Sequence, residues 1–195
     1  MNDTETKLFT LLNSYGDIIK LNWNFDSDAI INNLKKEDWL ERPNNKLGLN
    51  LTGGDGKDLG LESKDKHNVD QPYTQALLNN PELKEFFDKW EKLARCRAAW
   101  LNEGSFFRLH RDAWRMNPQM RIFIPLNKTD IHEWTFIYNE ERVPFEAGKA
   151  YILNTRKQHG SFTMVNGVFH ILMSVYLTEN NLKAVQSMLP NTKEN

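Results

Sequence analysis

The chain has 195 residues, with 25 basic against 26 acidic side chains and one cysteine, Cys96. That length makes a single domain with room for a substantial core, and a net charge of -1 leaves no electrostatic footprint for nucleic acid. One cysteine excludes an intramolecular disulfide and a cysteine-rich metal site, and no apolar run is long enough for a signal peptide or membrane span, so a cytoplasmic protein without a membrane partner is expected.

Residues 1 to 16 carry no clear periodicity. Asp17 to Phe25 alternates apolar with polar from Ile19 onward, which predicts a half-buried strand. Asp26-Ser27-Asp28 supplies short polar caps for a helix carrying Ile30, Ile31 and Leu34, expected to finish near Trp39 and Leu40 before Pro43. Lys46 to Thr52 alternates again, with Leu47, Leu49 and Leu51 on one side, and Gly53-Gly54-Asp55-Gly56 ends it. The glycine cluster lacks the Lys-Ser/Thr of a phosphate loop and the spacing of a dinucleotide fingerprint, so it reads as a turn. Residues 55 to 72 form a long charged loop, either disordered or a lid. Asn80-Pro81 opens a second helix with Leu83, Phe86, Phe87, Trp90 and Leu93 on one face, a stripe that reads as core.

From Ala94 to Thr178 the pattern is short strands between turns: Cys96 to Leu101, Ser105 to His110, Met120 to Leu126, Trp134 to Tyr138, Val143 to Glu146, Ala150 to Leu153, His159 to Val165 and Val168 to Leu177. Asn166-Gly167 between the last two is the strongest hairpin signal in the chain. The expected fold is mainly β, a double-stranded β-helix of the jelly-roll, cupin-like kind with supporting helices. Within one domain, residues 1 to 93 would be support, 94 to 178 the core carrying the site, and 179 to 195 a C-terminal tail.

The core holds the chemistry. On a strand, His110 and Asp112 stand two apart and project to one face. A second histidine, His159, lies 47 residues beyond Asp112 at the end of another apolar run. Two imidazoles and one carboxylate with open positions form the ligand set of non-haem Fe(II) oxygenases. A histidine followed two residues later by an acid is common in so acidic a chain, so order and context carry the reading, not the pair. His132, beside Glu133 in a turn, and His67, in the charged loop, read as solvated. Trp114 and Arg115 either border a substrate entrance or are plain packing and surface charge.

Residues 94 to 178 resemble the aspartyl/asparaginyl β-hydroxylase family of Fe(II)- and 2-oxoglutarate-dependent dioxygenases. The similar segments are Arg108-Leu109-His110-Arg111-Asp112, Arg121-Ile122-Phe123-Ile124-Pro125-Leu126, and Ala147-Gly148-Lys149-Ala150-Tyr151-Ile152-Leu153-Asn154 leading to His159. The resemblance implies a double-stranded β-helix, metal ligands His110, Asp112 and His159, and Arg121 as partner of a 2-oxoglutarate carboxylate. It also implies an activity in which 2-oxoglutarate and O₂ are consumed as an amino acid, free or in a peptide, is hydroxylated. The family's arginine about ten residues after the distal histidine falls here on Phe169 or His170, and Phe123 replaces a family histidine. His170, with Ser174 on the same strand face, is one substitute for that arginine; a core histidine bonded to a carbonyl is the other reading. Arg156 and Lys157 are further donors. Two other classes stay open: a metal-dependent isomerase or lyase on the same fold, and a non-enzymatic ligand-binding sandwich. The sequence leaves the oligomeric state and the substrate undetermined.

Overall fold

The structure is a computed structural model, and it describes residues 3–53, 71–112 and 119–190. The Gly54-Asp55-Gly56 turn, the charged loop with His67, and the Trp114-Arg115 pair lie outside the described residues. Strands are β1 (Ile18–Asn24), β2 (Leu40–Arg42), β3 (Lys46–Asn50), β4 (Arg97–Leu101), β5 (Phe106–His110) and β6 (Gln119–Pro125). They continue as β7 (Trp134–Tyr138), β8 (Glu141–Arg142), β9 (Lys149–Leu153), β10 (His159–Thr163) and β11 (Val168–Tyr176). One sheet has seven strands in the order β1-β9-β6-β11-β4-β3-β2; the other has four, β5-β10-β7-β8. All pairings are antiparallel. From β4 onward the chain passes back and forth between the two sheets, which is the winding of a double-stranded β-helix.

The period-2 alternation decides which side chains meet which layer. Ile122, Ile124, Ile171, Met173 and Val175 turn to the outer face of the large sheet, where they pack with the helices. Those helices are α1 (Asp3–Tyr15), α2 (Ser27–Leu34), α3 (Gln75–Leu78), α4 (Pro81–Phe87) and α5 (Glu179–Ser187). Leu8 and Leu12 of α1, Ile30 and Leu34 of α2, and Phe86 and Phe87 of α4 are buried there. Arg121 and Phe123 turn inward, and Phe123 joins Trp134, Phe136 and Phe145 in a second, aromatic cluster between the sheets. Because β6 and β11 are covered on both faces, they read as nearly continuous apolar runs. Among the described residues no helix is long and apolar enough to cross a membrane.

Several boundaries differ from expectation, each for a local reason. α2 stops at Leu34 because Trp39 folds back and its indole N–H donates to the Leu34 carbonyl at 2.8 Å. α4 ends at Phe87, yet Trp90 and Leu93 stay buried as the chain bends through Lys92 at positive φ to reach β4. Asn80 does not cap α4; its side-chain amide donates instead to the Ile30 carbonyl. Val143 to Glu146 is not a strand, since Pro144 has no N–H to continue the ladder beyond the two residues of β8. Residues read as the tail contain α5, capped by the Thr178 hydroxyl and holding Leu182 and Val185 in the core. Asn166-Gly167 is not a hairpin between paired strands. β10 pairs with β5 and β7 while β11 pairs with β4 and β6, so this turn carries the chain from the small sheet to the large one. Its left-handed Gly167 still makes the sharp reversal possible.

Candidate metal centre

β5 and β10 bring two histidines face to face. His159 pairs directly with His110, and one extra residue of β5 is accommodated between that pair and the Ser161–Phe107 pair, a bulge that re-aims the end of the strand. Gly160 makes the bulge possible: a Cβ there would stand 2.8 Å from the Phe107 carbonyl oxygen and 3.0 Å from the Leu109 nitrogen. The imidazole centroids are 4.3 Å apart. Asp112 lies just beyond β5, held by its backbone N–H to the Thr155 carbonyl at 2.9 Å. The donor atoms of His110, Asp112 and His159 all lie within 4.8 Å of one another.

Each histidine has a fixed tautomer. The His110 Nδ1 lies 2.7 Å from the Arg108 carbonyl, and the His159 Nδ1 lies 3.0 Å from the Lys157 carbonyl. A carbonyl can only accept, so each Nδ1 carries a proton and Nε2 is the nitrogen left to face a metal, the arrangement typical of metal-binding histidines. Burial lowers the pKa of His159, with His110 and Arg121 acting in the same sense, which favours the neutral ligand form. Burial would raise Asp112, but the charge and hydrogen bond of Arg121 outweigh it and hold the carboxyl below its ordinary value. Two imidazoles that present Nε2 and one ionised carboxylate on one side of an open space suit Fe(II).

The loop before His159 is pinned by Asp17. Its Oδ1 accepts from the Asn154 amide at 2.7 Å and its Oδ2 pairs with Lys157 Nζ at 2.6 Å. Lys157 is thereby engaged outside the centre, and Arg156 lies over the Phe9 ring at 4.7 Å, so neither faces the triad. His132 is exposed.

A cavity of about 960 Å³ opens beside the triad, between the inner faces of the sheets. Arg121, Ser174 and His170 line it. Arg121 reaches the carboxylate of the triad itself, with Nε 3.0 Å from Asp112 Oδ2, while its Nη1 donates to Ser174 Oγ and to Gln119 Oε1. Arg121 thus orients Asp112 as well as lining the cavity. His170 is 7% exposed, stands among Phe107, Phe123 and Trp134, and its Nδ1 has no hydrogen-bond partner among the described residues. Burial, then the charges of Arg97 and Lys46, push its pKa down to about 3, so it is a neutral ring and offers only a single N–H.

Sequence reasoning missed the basic wall of this cavity. Arg42, Lys46, Arg95, Arg97, Arg108 and Arg121 line it against one carboxylate, Asp112. The signal was present in the strand read over Cys96 to Leu101: Arg95 and Arg97 alternate with the buried Cys96 and Ala98, placing charge on an inward face. Arg42 arrives differently, lying across Gly48 of β3, where a Cβ would stand 3.3 Å from its Nε and 3.5 Å from its Cγ.

No family model matches the sequence, and no curated protein matches it. Among solved structures the chain is similar to a 2OG-Fe(II) oxygenase family oxidoreductase from Burkholderia pseudomallei, with 13% identity, 91% of each chain covered and a TM-score of 0.58. It is also similar to a Trichoplax adhaerens prolyl hydroxylase in complex with a hypoxia inducible factor peptide fragment (11% identity, 91% of each chain, TM-score 0.58). A third is a Pseudomonas putida prolyl-4-hydroxylase (13% identity, 90% of this chain and 100% of that one, TM-score 0.54). At such identities the likeness is one of fold: the chain shares its double-stranded β-helix with 2-oxoglutarate–Fe(II) oxygenases.

Proposed function

We propose that this chain is an Fe(II)- and 2-oxoglutarate-dependent dioxygenase that hydroxylates an unactivated C–H bond of an amino acid, free or in a peptide, in the manner of the aspartyl/asparaginyl β-hydroxylases. The observation that carries the reading is the convergence of His110, Asp112 and His159 within 4.8 Å at the edge of a cavity rich in cationic side chains.

The residues fit the metal because each Nδ1 is held by a backbone carbonyl, leaving Nε2 as the ligand atom, and Arg121 keeps the Asp112 carboxylate ionised. Bound there, Fe(II) supplies oxidative chemistry in which 2-oxoglutarate and O₂ are consumed and succinate and CO₂ are released. The protein's part is placement. Asp17 and the Thr155 carbonyl fix the loops bearing His159 and Asp112. Arg121 orients Asp112 and, with Ser174 and His170, presents donors to the co-substrate. Phe107, Phe123, Trp134 and Phe136 exclude water from the cavity wall, which strengthens each polar contact inside it. A volume of about 960 Å³ has room for a co-substrate and a second small molecule or side chain together. The Trichoplax enzyme's peptide complex supports a peptidyl substrate as one of the two forms to test.

The test is Fe(II)-dependent conversion of 2-oxoglutarate to succinate, screened with free amino acids and short peptides containing Asp, Asn or Pro. Succinate formed by the parent and lost in Asp112→Ala supports the reading. No succinate with any substrate, or equal succinate in the variant, contradicts it.

A further inference from the structure

One wall of the cavity is built from β3, β4 and β11 of the large sheet. On β11, His170 and Leu172 face inward; on the adjoining β4, Ala99 pairs with His170 and Arg97 with Leu172. Arg97 therefore stands one strand away from the segment on which the family's arginine would fall, and on the same cavity. Lys46 of β3 lines the same wall, held by its Nζ to the Phe106 carbonyl at 2.8 Å and over the Phe107 ring at 4.1 Å. Both cations lie close enough to His170 to act on its ring electrostatically.

Arg97 is short of negative charge. No hydrogen bond or ion pair to it occurs among the described residues, and the charges acting on it are mainly like charges, Arg95, Arg121 and Arg42, with Asp112 a weaker influence of opposite sign. Burial and these neighbours lower its pKa to about 10, which still leaves it cationic at neutral pH. A half-buried guanidinium facing like charges is costly unless an anion meets it. The buried Nδ1 of His170 and the buried Nε1 of Trp134 are also without partners, and both residues line this cavity. An uncompensated guanidinium and a neighbouring buried imidazole nitrogen on this wall, faced by an unpartnered indole N–H from β7, describe a site that is completed by a ligand.

We propose that Arg97, assisted by Lys46 and the N–H of His170, binds the far carboxylate of 2-oxoglutarate, replacing the arginine that the family carries on the last core strand. This rests on the oxygenase reading. Arg121, tied to Asp112 and Ser174, then belongs to the metal end of the co-substrate, and Arg97 to its far end. The planar guanidinium can take that carboxylate through two parallel N–H bonds, while Lys46 contributes a point charge and His170 a single bond.

The test compares two ligands that differ only at that carboxylate. 2-Oxoglutarate and 2-oxopentanoate are titrated by calorimetry into protein loaded with Mn(II), which supports no turnover. The parent should bind 2-oxoglutarate at least about tenfold more tightly than 2-oxopentanoate, because loss of a buried charge pair costs that much or more. Arg97→Met should weaken 2-oxoglutarate by about tenfold and leave 2-oxopentanoate within about twofold, removing the preference; Arg97→Lys should restore part of it. If Arg97→Met keeps the full preference, or the parent has none, the assignment is wrong. Should Arg97→Met fail to fold, Arg97→Lys and Lys46→Met decide the same question: a reduced preference in both supports the assignment, and the full parental preference in Arg97→Lys overturns it. If the Mn(II)-loaded parent binds neither 2-oxo acid, the oxygenase reading itself fails.

Discussion

Arg121 Nε lies 3.0 Å from Asp112 Oδ2, and the carboxylate consequently turns its other oxygen, Oδ1, to within 3.7 Å of His110 Nε2. One oxygen is spent on orientation and the other is left for a metal. The ion pair also fixes protonation: stability contributed by the depressed Asp112 is present above the ordinary carboxyl pKa of 3.8 and is lost as pH falls through the lower folded value.

Removing Arg121 should therefore reach the metal. In Arg121→Ala the carboxylate loses its partner, and Mn(II) or Fe(II) affinity should fall by about 10- to 100-fold, as for other groups that orient a ligand. Arg121→Lys, which keeps charge without the fork, should recover only part. Metal titration of the three proteins at neutral pH checks this, and an unchanged affinity in Arg121→Ala would remove Arg121 from the centre.

Gly160→Ala tests the bulge. The added methyl meets three backbone atoms of β5, the Phe107 oxygen at 2.8 Å among them, and backbone cannot swing aside as a side chain can. β5 must move away from β10, costing about 1–3 kcal/mol of stability, and His110 separates from His159. Both the unfolding midpoint and the metal affinity should drop. A variant with parental metal affinity would show that the β5–β10 approach does not set the site.

Much of the fold is legible in the sequence, and the exceptions are instructive. β7 matches its expected bounds because Trp134 to Tyr138 is flanked by turn residues on both sides. The i, i+2 spacing brings His110 and Asp112 together, although Asp112 sits beyond the strand end and owes its position to Thr155 and Arg121. The pairing of His159 with His110 was not readable, because it depends on a bulge and on Gly160, and neither leaves a periodic signal. Asn166-Gly167 shows the complementary limit: local turn chemistry is correct at Gly167, but which sheet each flanking strand joins is a tertiary decision. Arg97 was overlooked because a charge in a strand reads as solvent-facing until the opposite face is known to be covered.

His170 predicts an acid-sensitive core. An ordinary histidine titrates near 6.5, whereas burial and the charges of Arg97 and Lys46 take His170 to about 3. Between those values the unfolded chain binds a proton that the folded protein does not, so stability falls as pH is lowered from 6.5 toward 3, by up to about 1.4 kcal/mol per pH unit. Urea unfolding of metal-free protein from pH 7 to 4 should show that slope, and His170→Leu should flatten it. Equal slopes in the two proteins would mean that His170 is not held neutral.

The central claim is a single metal held by His110, Asp112 and His159 to which 2-oxoglutarate adds. Anaerobic titration of 2-oxoglutarate into the parent and into His159→Ala, each with and without stoichiometric Fe(II), tests it most directly. The Fe(II)-loaded parent should bind one equivalent, with affinity weakened at least about tenfold when either the metal or His159 is absent and His159→Ala still folded by circular dichroism. Binding of equal strength in all four samples would contradict it.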